Sequence, residues 1–258
     1  MSSILFHNEN GIASITLNRP EKLNSFNREM ALELQKVLAS CARDNDVRVV
    51  VLRASGKGFC AGQDLAEVLD PHGPGMKRIL AEHYNPIVLA IREMPKPVVA
   101  AVHGVAAGAG ANIALCCDIV LAAESASFIQ AFSKIGLIPD SGGTYFLPRL
   151  VGWQRALALT ITGDKVSAEE AFQMGMIYRC YPDEVFEQEV TRLAEKLSCM
   201  PTKAIDHIKQ AFSNTWQHSL EEQLTLEDAL QQASASTHDF NEGVRAFMEK
   251  RNPKFTGK

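Results

Sequence analysis

Residues 11–17 read Gly-Ile-Ala-Ser-Ile-Thr-Leu, an alternation that predicts a strand. Asn27 then stands as an N-cap before Met30, Leu34, Val37, Leu38 and Cys41, whose three- and four-residue spacing predicts an amphipathic helix. Three apolar runs follow at intervals: Val47-Arg48-Val49-Val50-Val51-Leu52, Val98-Val99-Ala100-Ala101-Val102 and Ile119-Val120-Leu121-Ala122-Ala123, each predicting a strand. Pro95-Lys96-Pro97 forces an extended entry into the second run. The small-residue stretch from 108 to 117 predicts a helix, and Pro and Gly mark residues 70–75 as a loop. Ser167-Ala168-Glu169-Glu170 is a capping box, opening a short helix that Gly175 ends.

Beyond residue 184 the strand pattern stops, and helices are expected over 185–199, 201–217, from Ser219 with Glu222 three positions on, and over 241–250. The chain thus reads as an α/β core, residues 1–184, followed by a helical region, residues 185–258. That region is too short for much core of its own. Its apolar faces are expected to pack on the core or on another copy of the chain, which favours oligomerisation.

Two of the strands end in turns of small residues. One is Phe59-Cys60-Ala61-Gly62-Gln63-Asp64; the other is His103-Gly104-Val105-Ala106-Ala107-Gly108-Ala109-Gly110-Ala111-Asn112, and the Ala-Gly pairs stand 46 residues apart. Small side chains allow a ligand to approach the main chain, and the first N–H groups of a helix lack internal partners. Two such turns face to face would hold one oxyanion between two backbone donors. Asp140, in Gly136-Leu137-Ile138-Pro139-Asp140-Ser141-Gly142-Gly143-Thr144, is the candidate acid–base group, a combination suited to enolate chemistry. An aspartate before Ser-Gly-Gly equally suits the N-cap of a following helix.

Composition removes other classes. Hydrophobic residues make up 46% of 258 and charged residues 22%, ordinary for a globular chain. A formal net charge of −4 with no basic run argues against nucleic-acid binding. The first nine residues do not resemble a secretory signal, and no apolar run approaches the ~20 residues of a membrane span, so a cytoplasmic location without membrane contact is expected. The six cysteines show no Cys-x-x-Cys spacing and are expected to be reduced and mostly buried. Seven scattered histidines give no His-Glu-x-x-His, so no metal is expected. Gly104, Gly108 and Gly110 do not follow the dinucleotide pattern, and Ser141 lacks a Gly-x-Ser-x-Gly elbow.

Five segments in this order resemble the crotonase, or enoyl-CoA hydratase/isomerase, superfamily: Asn18-Arg19-Pro20-Glu21-Lys22-Leu23-Asn24-Ser25, Gly58 to Leu65, Lys96 to Gly104, Gly108 to Asp118, and Pro139 to Thr144. The resemblance implies a spiral of ββα repeats with a C-terminal helical trimerisation region, a homotrimer or dimer of trimers, and an acyl-CoA thioester as substrate. Coenzyme A then enters with the substrate, and no separate cofactor is needed. By motif, the oxyanion donors are the main-chain N–H groups of Gln63 and Ala109, and Asp140 carries the proton. Lys22, Leu23, Ala61, Asp64 and Leu65 correspond to coenzyme A contacts, joined by basic residues such as Lys254 of a neighbouring copy. Tyr84, Asn112, Phe132 and Ile138 correspond to the acyl pocket.

Hydratases of the family use two glutamates; the matching positions here hold Asn112 and Phe132, neither of which titrates usefully near neutral pH. One carboxylate suffices to move a proton between two carbons, provided apolar neighbours such as Phe132, Leu137, Ile138 and Phe146 raise its pKa. The resemblance therefore implies an isomerase. It is similar to the members that turn the ring epoxide of phenylacetyl-CoA into a seven-membered oxepin and shift an enoyl double bond from position 3 to 2. A hydratase is the first alternative, and a catalytically weak acyl-CoA-binding or RNA-binding relative the second.

Overall fold

A computed structural model describes residues 2–258. Nine strands run β1 (Ile4–Glu9), β2 (Ile12–Leu17), β3 (Val49–Ala54), β4 (Val98–Val102), β5 (Val105–Ala107), β6 (Ile119–Ala123), β7 (Ser127–Ile129), β8 (Lys165–Ser167) and β9 (Arg179–Tyr181). The helices are α1 (Arg28–Arg43), α2 (Leu65–Leu69), α3 (Gly75–Arg78), α4 (Asn85–Arg92), α5 (Ala109–Leu115), α6 (Gly143–Val151), α7 (Trp153–Thr162), α8 (Ala168–Gln173), α9 (Asp183–Ser198), α10 (Thr202–Asn214), α11 (Leu220–Ala235) and α12 (His238–Met248), with a π-helical turn at Ile79–Tyr84. Six strands form one sheet in the order β1-β2-β3-β4-β6-β9, parallel except for the β1–β2 hairpin, and β5-β7-β8 form a second. In β4-β5-α5 and in β6-β7 followed by the turn at Ala131–Ile135, the first strand joins the large sheet and the second the small one. This two-sheet winding is the ββα spiral.

The central strands read as unbroken apolar runs because both faces of the large sheet are covered. Val50, Leu52, Val98, Ala100 and Val102 pack with Leu34, Ile87 and Ala111 on one side. On the other, Val49, Val51, Val99, Ala101 and Leu121 pack against Phe186, Val190 and Ala194 of α9. The first helix of the region expected from residue 185, α9, thus packs on the core as one of its layers, and the helices that stand away from the sheet begin after it. Lys209 of α10, only 8% exposed, ties those helices back, its Nζ lying 2.6 Å from Asp118 Oδ2 and donating to the Lys96 carbonyl at 3.0 Å. Among the described residues no helix is long and apolar enough to cross a membrane.

Candidate active site

The two small-residue turns lie against each other. Cys60 N–H donates to the Val105 carbonyl at 3.1 Å and Ala107 N–H to the Cys60 carbonyl at 2.8 Å, a parallel bridge between the turns. A Cβ on Gly62, whose φ is +97°, would lie 3.0 Å from the Ala107 oxygen and 3.5 Å from the Ala109 nitrogen. A Cβ on Gly110 would come within 2.6 Å of the Cys60 side chain. The glycines are thus required first by the contact of one turn with the other, whatever ligand they admit. Neither Gln63 N–H nor Ala109 N–H donates to another group of the protein among the described residues. Both peptide N–H groups thus remain without a partner in the protein where the two turns meet. Helix α5 is shorter than its sequence predicts, seven residues, so Ala109 is its first residue and acts chiefly through its own N–H.

The Gln63 donor is held on three sides. Phe26 N–H donates to the Gly62 carbonyl at 2.7 Å, and Asp64 N–H donates to the Phe26 carbonyl at 2.8 Å. The Gln63 side chain accepts from Tyr84 Oη at 2.7 Å and donates to Glu67 Oε2 at 2.9 Å. Cys60 sits within the same turn, but burial pushes its thiol up to about 12, so it stays neutral and is no nucleophile.

Asp140 ends a stretch without regular structure, residues 137–140, and Ser141 takes a φ of +51°. Helix α6 begins only at Gly143, and its N-cap is Gly142 with no side-chain cap, so Asp140 does not cap it. The carboxylate instead accepts from Ser141 Oγ at 2.9 Å. Burial raises its pKa above the ordinary value, with the Ser141 hydrogen bond opposing the rise. The Asp140 carbonyl is fixed by Asn112 Nδ2 at 2.9 Å and Gly143 N–H at 2.8 Å, and Asn112 Oδ1 accepts from Gln130 Nε2 at 2.8 Å. Asn112 belongs to the first turn of α5, its N–H donating to the Gly108 carbonyl at 3.1 Å. One buried amide therefore joins the Asp140 loop to helix α5, which begins at Ala109. The Tyr84 hydroxyl lies nearby: burial above all, with the Asp140 charge adding to it, holds its pKa far above the usual tyrosine value.

The positions assigned to an acyl pocket divide in two. Tyr84 and Asn112 are 0% and 1% exposed, so both lie beneath the site rather than on its wall. Phe132 is 6% exposed and its ring lies 3.8 Å from where a Gly108 Cβ would stand, next to the donor pair. Ile138 is 80% exposed and gives Asp140 no apolar cover within the chain. Phe146 packs behind Gly142 under Arg92, whose guanidinium lies 5.5 Å from the ring centre. The positions assigned to coenzyme A gather on the outer side of the first turn, where Ala61 N–H donates to the Leu23 carbonyl at 2.9 Å. Lys22, Leu23 and Leu65 are exposed there. Asp64 is committed elsewhere: it pairs with Arg19 at 2.9 Å and caps α2 through Ala66 N–H at 3.1 Å. Glu67 and Gln130 were not singled out in the sequence; for Gln130 no local signal marks its bond to Asn112. For Glu67 the four-residue spacing from Gln63 was the available signal.

A core wound between two sheets, with two small-residue turns in contact and the half-buried Asp140 carboxyl group on a nearby loop, matches a known family. The enoyl-CoA hydratase/isomerase family matches residues 7–258, and the chain belongs to this crotonase superfamily. It is 47% identical over 261 residues to 1,2-epoxyphenylacetyl-CoA isomerase of Escherichia coli (strain K12), covering all of both chains. A protein of Rhodobacter capsulatus that carries the name "Probable enoyl-CoA hydratase" is 44% identical, with 99% of this chain and 98% of that one covered. Among solved structures, an enoyl-CoA hydratase/isomerase from Mycobacterium abscessus superposes with a TM-score of 0.93 at 35% identity, covering 99% of this chain and all of the other.

Proposed function

We propose that the protein isomerises acyl-CoA thioesters by moving one proton through Asp140. The observation that carries this reading is the solitary state of that carboxyl group: burial raises its pKa, and the two neighbouring positions that would hold a hydratase's glutamates are Asn112 and Phe132. The thioester oxygen would sit between Gln63 N–H and Ala109 N–H. Asp140 takes the proton from the carbon beside the carbonyl, the charge moves to the oxygen, and the two donors stabilise the enolate. Losing one donor of this kind costs about 3 kcal/mol of barrier. Asp140 then returns the proton to a farther carbon. On a 3-enoyl thioester this carries the double bond to position 2. On the ring epoxide of phenylacetyl-CoA it accompanies expansion to the oxepin, and the name of the E. coli relative supports that substrate. No redox step is involved.

The coenzyme A moiety would follow the exposed side of the first turn, past Lys22, Leu23 and Leu65. Phe212, Trp216, Leu220, Phe247 and Met248 are 66–85% exposed on the terminal helices, which supports a homotrimer or dimer of trimers. The balance of charge and the family membership support cytoplasmic work on small thioesters rather than RNA. The second reading, hydration, is favoured by the name of the R. capsulatus relative. Specificity constants for the ring epoxide, a 3-enoyl-CoA and crotonyl-CoA decide between them. Isomerase substrates should dominate, and Asp140→Asn should bind coenzyme A thioesters normally while losing about 10²- to 10⁴-fold in turnover. Full activity in that variant removes Asp140 from the chemistry, and a dominant crotonyl-CoA hydration rate reverses the ranking.

A further inference from the structure

The Gln63 side chain has no place in the chemistry just described, since only its peptide N–H faces the oxyanion. Yet both ends of its amide are engaged. Oε1 accepts from Tyr84 Oη at 2.7 Å, and Nε2 donates to Glu67 Oε2 at 2.9 Å. Glu67 is anchored in turn, its Oε1 accepting from Arg28 N–H at 2.8 Å at the start of α1. Tyr84 is wholly buried, with its ring edge-on to Phe26 at 5.9 Å between centres. Phe26 is also the residue whose main chain brackets Gln63 through its bonds to residues 62 and 64. Tyr84 closes the π-helical turn Ile79–Tyr84, a widened helical geometry that shifts side-chain register and recurs at functional sites.

We propose that Tyr84 and Glu67 are positioning residues that clamp the Gln63 side chain and thereby aim its peptide N–H at the thioester oxygen. This inference rests on the isomerase reading above. A side chain fixed at both ends leaves its own χ angles, and through them the adjoining peptide plane, little freedom. The donor is then aligned before substrate arrives, which is what makes such a donor effective. Releasing one end lets the peptide librate and weakens a hydrogen bond that strengthens as the enolate forms.

The test uses the whole enzyme. Tyr84→Phe keeps the buried ring against Phe26 and removes only the hydroxyl, and Gln63→Leu keeps the peptide donor and removes both clamping bonds. The readouts are kcat and KM for a 3-enoyl-CoA, and the absorbance of bound 2,4-hexadienoyl-CoA, whose conjugated thioester shifts to longer wavelength when its oxygen accepts strong hydrogen bonds. Loss of a whole donor costs 10²- to 10³-fold, so a loosened one is expected to cost about tenfold in kcat with KM within about twofold. Both variants should also lose part of the spectral shift, and adding Glu67→Ala to Tyr84→Phe should lower kcat little further, because one free end already unlocks the amide. Wild-type kcat and spectral shift in both variants overturn the clamp. A wild-type enzyme that neither isomerises the thioester nor shifts its spectrum overturns the isomerase reading instead.

Discussion

Replacing Asn112 by glutamate restores, on paper, one of the carboxylates that a hydratase of this family carries. The structure predicts that it restores no hydration and damages the fold. The Asn112 side chain is 1% exposed and packed so closely on Gly143 that a Cβ there would lie 2.3 Å from Nδ2. An added methylene has nowhere to go, and overpacking costs about 1–3 kcal/mol. The exchange also deletes the donor to the Asp140 carbonyl, about 1 kcal/mol, and sets a buried carboxylate oxygen against that acceptor, about 1–3 kcal/mol more. The combined loss, roughly 3–7 kcal/mol, is a large part of the about 5–15 kcal/mol that holds a typical domain folded. Urea denaturation followed by circular dichroism should show a large drop in midpoint at unchanged slope. Isomerase turnover should fall because the Asp140 loop loses its tether to α5. A variant within about 1 kcal/mol of wild type that hydrates crotonyl-CoA refutes the reasoning.

Because burial raises the Asp140 pKa above its unfolded value of 3.8, the protonated group is favoured in the folded state. Its contribution to stability is fully present below that value and is lost as pH rises through the folded pKa. Asp140→Asn should therefore be more stable than wild type at neutral pH and equal to it near pH 3, and denaturation curves across that range check the sign. The same shift should give kcat/KM an acidic limb above the ordinary aspartate range, absent from the residual activity of Asp140→Asn. Gly110→Ala drives a methyl to within 2.5–2.6 Å of Cys60 and should cost about 1–3 kcal/mol in thermal or urea unfolding, with the donor pair spread apart and turnover reduced. Asp239, buried, accepts from Thr256 N–H and Gly257 N–H, both at 2.7 Å, and its pKa is lowered. That stabilisation is present above the unfolded pKa of 3.8 and is lost as pH falls through the folded value, so Asp239→Ala at neutral pH should free the terminal segment. Faster tryptic cleavage at Lys250, Arg251 and Lys254 measures this.

The elements legible in the sequence were those with enough residues to show a period or a cap. Strands β4 and β6 fall where their apolar runs place them, and the caps at Asn27, Ser167 and Ser219 each accept the expected backbone N–H. Strands β5, β7 and β8 have three residues each, too few for any alternation, and β5 reads as loop because it lies among glycines. Strand β1 shows one buried residue and five exposed, so no two-residue pattern marks it, although Asn10 and Gly11, both at positive φ, form the hairpin turn that follows. The π-helical turn has neither a 3.6- nor a 2-residue period, and nothing in the local sequence announces it. Asp140, Gln63 and Ala109 are candidates assigned through motif order. What the sequence could not show was which side chains stand behind them, because Asn112 and Asp140 are 28 residues apart and Arg28 and Glu67 are 39 apart.

This separation bears on how chemistry changes within one fold. The two oxyanion donors proposed above are peptide groups, and the glycines around them are fixed by the contact of turn with turn, so on that proposal neither donor identity nor turn geometry distinguishes isomerase from hydratase. The distinction falls on side chains at positions such as 112, 132 and 140. Here position 112 is part of the scaffold: its Nδ2 donates to the Asp140 carbonyl and its Oδ1 accepts from Gln130, and the first of these bonds needs an N–H that a carboxylate lacks. Once a former catalytic position carries structural hydrogen bonds, reverting it alone breaks those bonds before it supplies a base. A switch toward hydration would have to move Gln130 and the Asp140 loop together with residue 112. The Asp140 loop is for that reason a stable arrangement of this chain, its carbonyl tied to Asn112 on α5 and, through that amide, to Gln130.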